Sequence, residues 1–202
     1  MKMLRKIISS PRVEPVSLNE IYEHTHSGVE HEVYLAGLIT RARARFEQRT
    51  GRLLVQQTWQ TSLPMFTNII ELPFAPLQSV TSIQYLNTQG RYQTLESNEY
   101  RVVEHGITAT ITPKLGGCWP TVGYKTMDAI RIEAVYGHAP IVNNQVDVAN
   151  IIDRDKYELA KQAIFILVSD WFRNREDTAP IQLYEIPNAF KAICTELSVD
   201  VL

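Results

Sequence analysis

Over the first fifty residues the apolar positions recur at helical spacing. Between residues 30 and 49, Leu35, Leu38, Ile39, Ala42 and Phe46 stand at i, i+3, i+4, i+7 and i+11, which is one face of an α-helix. Gly51 follows where a left-handed residue closes such a helix. Upstream, Ser17 and Glu20 are spaced as a capping box, so that hydroxyl and carboxylate satisfy orphan amides at a helix start, and a short helix is predicted to about residue 24. From Leu53 the period shortens to about two, and prolines and glycines interrupt the chain roughly every ten residues. Strands are predicted at 55–59, 69–72, 80–85, 100–103, 107–111 and 130–136, with Asn87 to Gly90 supplying the turn of a hairpin between Tyr85 and Gln93.

Helical spacing returns after the polar stretch 137–155. Ala160, Ala163, Ile164, Leu167, Val168 and Trp171 mark one face, while Phe165, Ile166 and Phe172 make a second side apolar. A helix of this kind has to be covered twice: once by the helix at 30–49, and again by the β region or another subunit. Asp153 and Asp155 fit N-cap roles before it, and Pro187 opens a short terminal helix. The fold class that follows is α+β, a helical core of two long helices plus short terminal helices with an inserted antiparallel β-sandwich-like region. The expected division is a helical core from 15–52 and 155–202, an inserted β region at 53–137, and a connecting loop at 138–154. The candidate core is Leu35, Ile39, Phe46, Ile164, Leu167, Val168 and Trp171. Truncation of a fully buried Trp171 is expected to cost about 3–5 kcal/mol.

Composition narrows the function classes. With 202 residues, 45% hydrophobic and 21% charged, the chain can bury a real core, and low-hydrophobicity disorder is set aside. The formal charge of −2 excludes a global basic field of the kind that drives non-specific nucleic-acid binding. Cys118 and Cys194 have no CxxC partners, so neither a zinc site nor a disulfide framework is indicated, and a reducing compartment is expected. The opening residues are basic and then briefly apolar, short of a signal-peptide core. The longest apolar run, 163–168, is far below the roughly 20 residues that span a bilayer, so no membrane partner is expected.

Catalytic chemistry finds little footing. His24, His26 and His31 lie near Glu23, Glu30 and Glu32, residue types that suit a metal or a general base, but their spacing defines no ligand geometry and reads as a solvated corner. His105 and His138 stand beside glycines and read as surface turn residues, and Cys118 reads as a small half-buried filler. Neither GxSxG, GxxxxGK[ST] nor a helix-opening GxGxxG occurs. No catalytic, metal-binding or cofactor-binding residue is assigned, and no enzyme or cofactor is expected. More distinctive is the arginine density. Arg41, Arg45 and Arg49 fall at i, i+4 and i+8, and Arg173 and Arg175 follow Trp171 and Phe172. These five arginines are candidates for a subunit interface or a channel wall, against the plainer reading of a solvated helix end that suits the dipole. An alternative function is a monomeric β-domain binding module for carbohydrate or peptide, using Trp59, Tyr85, Tyr92 and Trp119. A third is a metal-dependent hydrolase built on the histidine cluster.

Several segments, taken in order, carry a family resemblance: Ala42-Arg-Ala-Arg-Phe-Glu-Gln-Arg-Thr-Gly-Arg-Leu-Leu54, then Gln57-Thr-Trp59, Ile70-Glu-Leu-Pro-Phe-Ala-Pro-Leu-Gln-Ser-Val80, Ile83-Gln-Tyr85, and Ala160-Lys-Gln-Ala-Ile-Phe-Ile-Leu-Val-Ser-Asp-Trp-Phe-Arg-Asn-Arg-Glu176. Over about residues 15–180 the chain resembles the head-tail connector, or adaptor, family of tailed bacteriophages, prophages and gene transfer agents. The resemblance implies a structural head-completion protein of the virion, present in the host cytoplasm during assembly. It would dock as a ring, usually of twelve subunits, beneath the portal protein after DNA packaging. The ring would extend the channel, pass double-stranded DNA without sequence recognition, and present a surface to a tail-proximal stopper or tail-completion protein. It further implies that the helical core makes the ring, that residues 53–136 are a β insertion, and that Phe190 and Ile193 of the terminal helix dock the portal.

Overall fold

The computed structural model describes residues 3–105, 108–124, 126–174 and 186–199. Within it the chain forms two units. One comprises residues 12–55 with 138–174 and 186–198, and the other includes residues 3–11 and 56–137. Residues 56–137 of the second unit are thus inserted into the first, while residues 3–11 precede it and Val199 follows it, and the fold is α+β.

The first unit is helical, with α1 (Leu18–Thr25), α2 (Glu32–Thr50), α3 (Arg154–Arg173) and α4 (Asn188–Leu197). The capping box forms at α1. Glu20 N–H donates to Ser17 Oγ at 3.3 Å, and Ser17 N–H donates to Glu20 Oε2 at 2.8 Å. α2 ends as its sequence requires: Gly51, at φ 71°, donates its N–H to Glu47 O at 2.9 Å. At α3 the expectation of a carboxylate cap is corrected. Asp153 occupies the N-cap position at φ 51°, outside the extended conformation from which a cap reaches the next amides, and its carboxylate instead pairs with Lys156. Asp155 lies inside the first turn, where its charge complements the helix N-terminus without capping it.

The core of this unit sits where the faces of α2, α3 and α4 meet. Leu35, Leu38, Ile39, Ala42 and Phe46 from α2 join Ala160, Ala163, Ile164, Leu167 and Val168 from α3, all buried. Val16, Ile21, Leu54, Val55, Ala139, Tyr157, Phe190, Cys194 and Leu197 complete it. Residues 138–154 carry more structure than a connecting loop. β9 (Ile141–Val142) and β10 (Gln145–Val146) pair antiparallel, turned by Asn143 and Asn144 at φ 50° and 61°, the left-handed pair that a tight hairpin needs. Before this ribbon, the N–H groups of His138 and Ala139 donate to Leu53 O and Leu54 O, both at 3.0 Å.

The inserted unit holds two antiparallel sheets. In the larger, β1 (Leu4–Ser9), β2 (Gln57–Leu63), β8 (Ile130–Tyr136), β4 (Leu77–Leu86) and β5 (Tyr92–Thr94) lie in that order. In the smaller, β7 (Thr108–Pro113) lies between β3 (Ile70–Glu71) and β6 (Tyr100–His105). β8 shows the two-residue period plainly: Ile130, Ile132, Ala134 and Tyr136 are buried, with Arg131, Glu133 and Val135 between them half-buried. The hairpin joins β4 to β5 with Tyr85 opposite Gln93, and Asn87 Oδ1 accepts the N–H groups of Gln89 and Arg91 at 3.0 Å.

Candidate functional site

The arginine run of α2 splits in two when folded. Arg41, Arg45 and Arg49 are exposed along one stripe, and among the described residues none of the three makes an ion pair. Arg41 Nε donates to Gly37 O at 3.0 Å, which turns its side chain back along the helix. Arg43 and Arg52 belong to the same basic run but point inward and are buried. Arg43 Nε donates to Glu14 Oε2 at 2.7 Å, and its Nη1 donates to Glu47 Oε2 at 2.9 Å. Glu47 Oε1 in turn accepts the N–H of Leu54 at 3.0 Å. One guanidinium thus links the segment before α1, the body of α2 and the chain that leaves it. Burial pulls the Arg43 pKa down, but hydrogen bonds and charges from Glu14 and Glu47 outweigh burial and hold it above the ordinary arginine value. Arg52 Nε donates to Leu197 O at 2.6 Å, and burial lowers its pKa against a weaker opposing pull from Asp153.

The remaining predicted positions separate as clearly. Leu35, Ile39, Phe46, Ile164, Leu167 and Val168 are fully buried. Trp171 is half-buried at the edge of the core, because the last turn of α3 opens a cavity of about 300 Å³ lined by Tyr34, Leu38, Arg41, Trp171 and Asn174. Arg173 is exposed in that turn, and Arg175 lies outside the described residues. Phe190 is fully buried in the helical core and Ile193 is half-buried against it. The exposed positions of α4 are Asn188, Ala189, Ala192, Thr195 and Glu196.

The second apolar side of α3 meets the corner between α1 and α2. The His24 ring lies 4.9 Å from Phe165, and His31 meets Phe172 edge-on at 5.3 Å, with Tyr34 6.3 Å from the same ring. These histidines therefore cover aromatic surface, and among the described residues no group of three His, Cys, Asp or Glu is placed to hold a metal ion. His138 corrects the reading of a surface turn residue. It is buried, its Nδ1 lies 2.6 Å from Ile152 O, its Nε2 has no hydrogen-bond partner among the described residues, and burial lowers its pKa to about 4. Cys118 is exposed where a half-buried filler was expected. Cys194 is buried, and burial raises its thiol to about 11 against the pull of Arg49 and Arg45, so it is chemically quiet.

Of the four aromatics considered as a binding platform, three are engaged in the packing of the β unit and Tyr92 is exposed at its surface. Trp59 lies 4.7 Å from Phe74, Trp119 stacks on Phe66 at 4.6 Å, and Tyr85 is buried. Trp119 Nε1 also donates to Thr67 O at 2.7 Å. Tyr92 is covered by the Arg131 guanidinium 3.8 Å above its ring, and its hydroxyl donates to Asp128 O at 2.9 Å. No helix among the described residues is long and apolar enough to cross a membrane.

No family model and no curated protein matches this sequence. Solved structures do match, along almost the whole chain. A chain from the neck of an empty GTA particle, computed with C6 symmetry, superposes with a TM-score of 0.73 at 20% identity, covering 98% of this chain and 97% of that one. A chain from the virion of a native gene transfer agent (GTA) particle gives 0.71 at 19% identity, with 98% and 97% covered. A third, from the neck of a native GTA particle computed with C12 symmetry, gives 0.69 at 20% identity, with 100% and 98% covered. From end to end, both the helical unit and the inserted β unit share the fold of these particle chains.

Proposed function

We infer that this chain is a structural head-tail connector of a phage-like particle. The observation that carries the reading is the fold shared along 98% and 100% of the chain with neck chains of particles treated with sixfold and twelvefold symmetry. Copies assemble as a ring of twelve beneath the portal, extend the DNA channel, and offer the tail-proximal component its attachment surface. The helical unit forms the ring and the β unit is the insertion that longer connectors carry. The exposed stripe of Arg41, Arg45 and Arg49, with Arg173, faces a neighbouring subunit or the channel. A formal charge of −2 suits a conduit, because a strongly basic wall would hold the phosphate backbone that has to pass.

Co-sedimentation tests this reading. Purified protein is mixed with DNA-filled, tail-less heads that carry a portal, and with matched heads that lack one. The reading expects saturable binding of about twelve copies per portal-bearing head, as a closed cyclic assembly requires, and none without the portal. Equal binding to both kinds of head, or none to either, overturns it.

A further inference from the structure

We propose that neighbouring subunits of the ring are joined head to tail by two different patches of the helical unit. The corner that leads into α2 in one copy seats on the cavity and arginine stripe beside α2 in the next. The inference rests on the ring reading above and adds the joint to it.

The corner is the inserting partner. Val29 and Val33 are 73% and 88% exposed, more than any other large hydrophobic residue described in this unit. Glu30 and Glu32 are exposed between them, so the corner presents two aliphatic tips set among carboxylates. The receiving patch has the complementary character. Tyr34, Leu38 and Trp171 wall the cavity of about 300 Å³, Arg41 stands at its border, and Arg45 continues the positive stripe along α2. An aliphatic tip flanked by acids thus matches a hollow that Tyr34, Leu38 and Trp171 wall, with Asn174 at its edge, flanked by arginines that have no ion-pair partner among the described residues. In such a joint the buried apolar contact supplies most of the affinity, and the charges supply steering and register.

The placement of the two patches fits a ring. Val33 and Arg45 are twelve residues apart on α2, which at 3.6 residues per turn sets them about 120° apart around the helix. The patches therefore open toward different sides of the unit. A copy that inserts its corner into one neighbour keeps its own cavity free for another, which is the heterologous arrangement a ring requires. A self-matching patch would stop at a dimer.

Charge exchange on portal-bearing heads tests the joint. Four proteins are compared: wild type, Arg41→Glu with Arg45→Glu, Glu30→Arg with Glu32→Arg, and the combination of all four substitutions. Thermal melting establishes that each is folded, and imaging of the vertices counts those that carry a ring. Each half-exchange is expected to lower ring occupancy about tenfold or more, because it sets like charges against each other, and the full exchange is expected to restore it. Val33→Ser, which disturbs no charge, is expected to lower occupancy as well. Half-exchanged or Val33→Ser proteins that ring as well as wild type overturn the joint and leave the ring reading intact. So does a full exchange that fails to recover. A wild type that forms no ring on these heads overturns the ring reading, and the joint falls with it.

Discussion

Replacing Arg43 by methionine keeps most of its volume and removes the positive charge between Glu14 and Glu47. The consequence follows from exposure. The Arg43 and Glu47 side chains are 10% and 8% exposed, and that of Glu14 is 28% exposed. Without Arg43 the Glu47 carboxylate is left buried with the Leu54 N–H among its remaining contacts. Removing one partner of a buried pair costs about 3–5 kcal/mol, a large part of the 5–15 kcal/mol by which a domain is usually stable. Glu14→Gln should cost only about 1 kcal/mol, since that arm reaches solvent and Arg43 keeps Glu47. The decisive comparison is the double variant Arg43→Met with Glu47→Leu. It removes the buried Glu47 carboxylate together with Arg43 and takes that acceptor from the Leu54 N–H, while Glu14 keeps its exposure to solvent, so it should lose about 1–3 kcal/mol, less than Arg43→Met alone. Urea titration followed by the helical circular dichroism signal measures each variant. An Arg43→Met protein within 1 kcal/mol of wild type, or a double variant at least as unstable as Arg43→Met alone, refutes the reasoning.

His138 gives a prediction in pH. Its folded-state pKa of about 4 lies below the ordinary value, so as pH falls the unfolded chain takes up the proton first. The contribution is fully present above pH ~6.5 and is lost progressively toward pH ~4, by about 3 kcal/mol in total. The His138→Gln protein should lack that part of the acid loss, and an unchanged dependence of the urea midpoint on pH over this window would contradict the assignment. Trp171→Ala should cost about 1–2 kcal/mol, below the 3–5 kcal/mol of a fully buried aromatic, because the side chain borders an open cavity. A measured loss above 3 kcal/mol would place Trp171 inside the core. Arg52→Met removes the donor to Leu197 O and should speed amide exchange in α4 while leaving the middle of α2 and α3 protected. Uniform acceleration through all three helices would show that Arg52 supports the whole unit.

The parts of the fold legible in the sequence are those where one local rule decides the outcome. Ser17 and Glu20 cap α1 with atoms three residues apart, Gly51 closes α2 in the conformation glycine favours, and the apolar spacing of α2 and α3 marks the faces that meet. β8 was readable because burial on one face imposes alternation. β1 was not readable. Its side chains are exposed or half-buried, so Leu4 to Ser9 carry no alternating pattern, and the strand is held by its pairing with the distant β2. The same limit governs the site. Arg41 and Arg43 look alike in a basic run, and what separates them is Glu14, which reaches Arg43 from a distant segment. His138 beside Gly137 resembles a surface turn residue, yet the backbone bonds of residues 138 and 139 to Leu53 and Leu54 draw it inside. The aromatic cover that His24 and His31 give to Phe165 and Phe172 likewise depends on how α1 and α3 meet.

Electron microscopy of portal-bearing, DNA-filled heads, imaged with and without added protein, decides whether this chain is a connector. A connector adds density at the portal vertex alone, closed into a twelvefold ring around the DNA channel, into which the helical unit fits as the ring-forming layer. Heads that still accept tails but show no added density at that vertex, or density without cyclic symmetry, would contradict it.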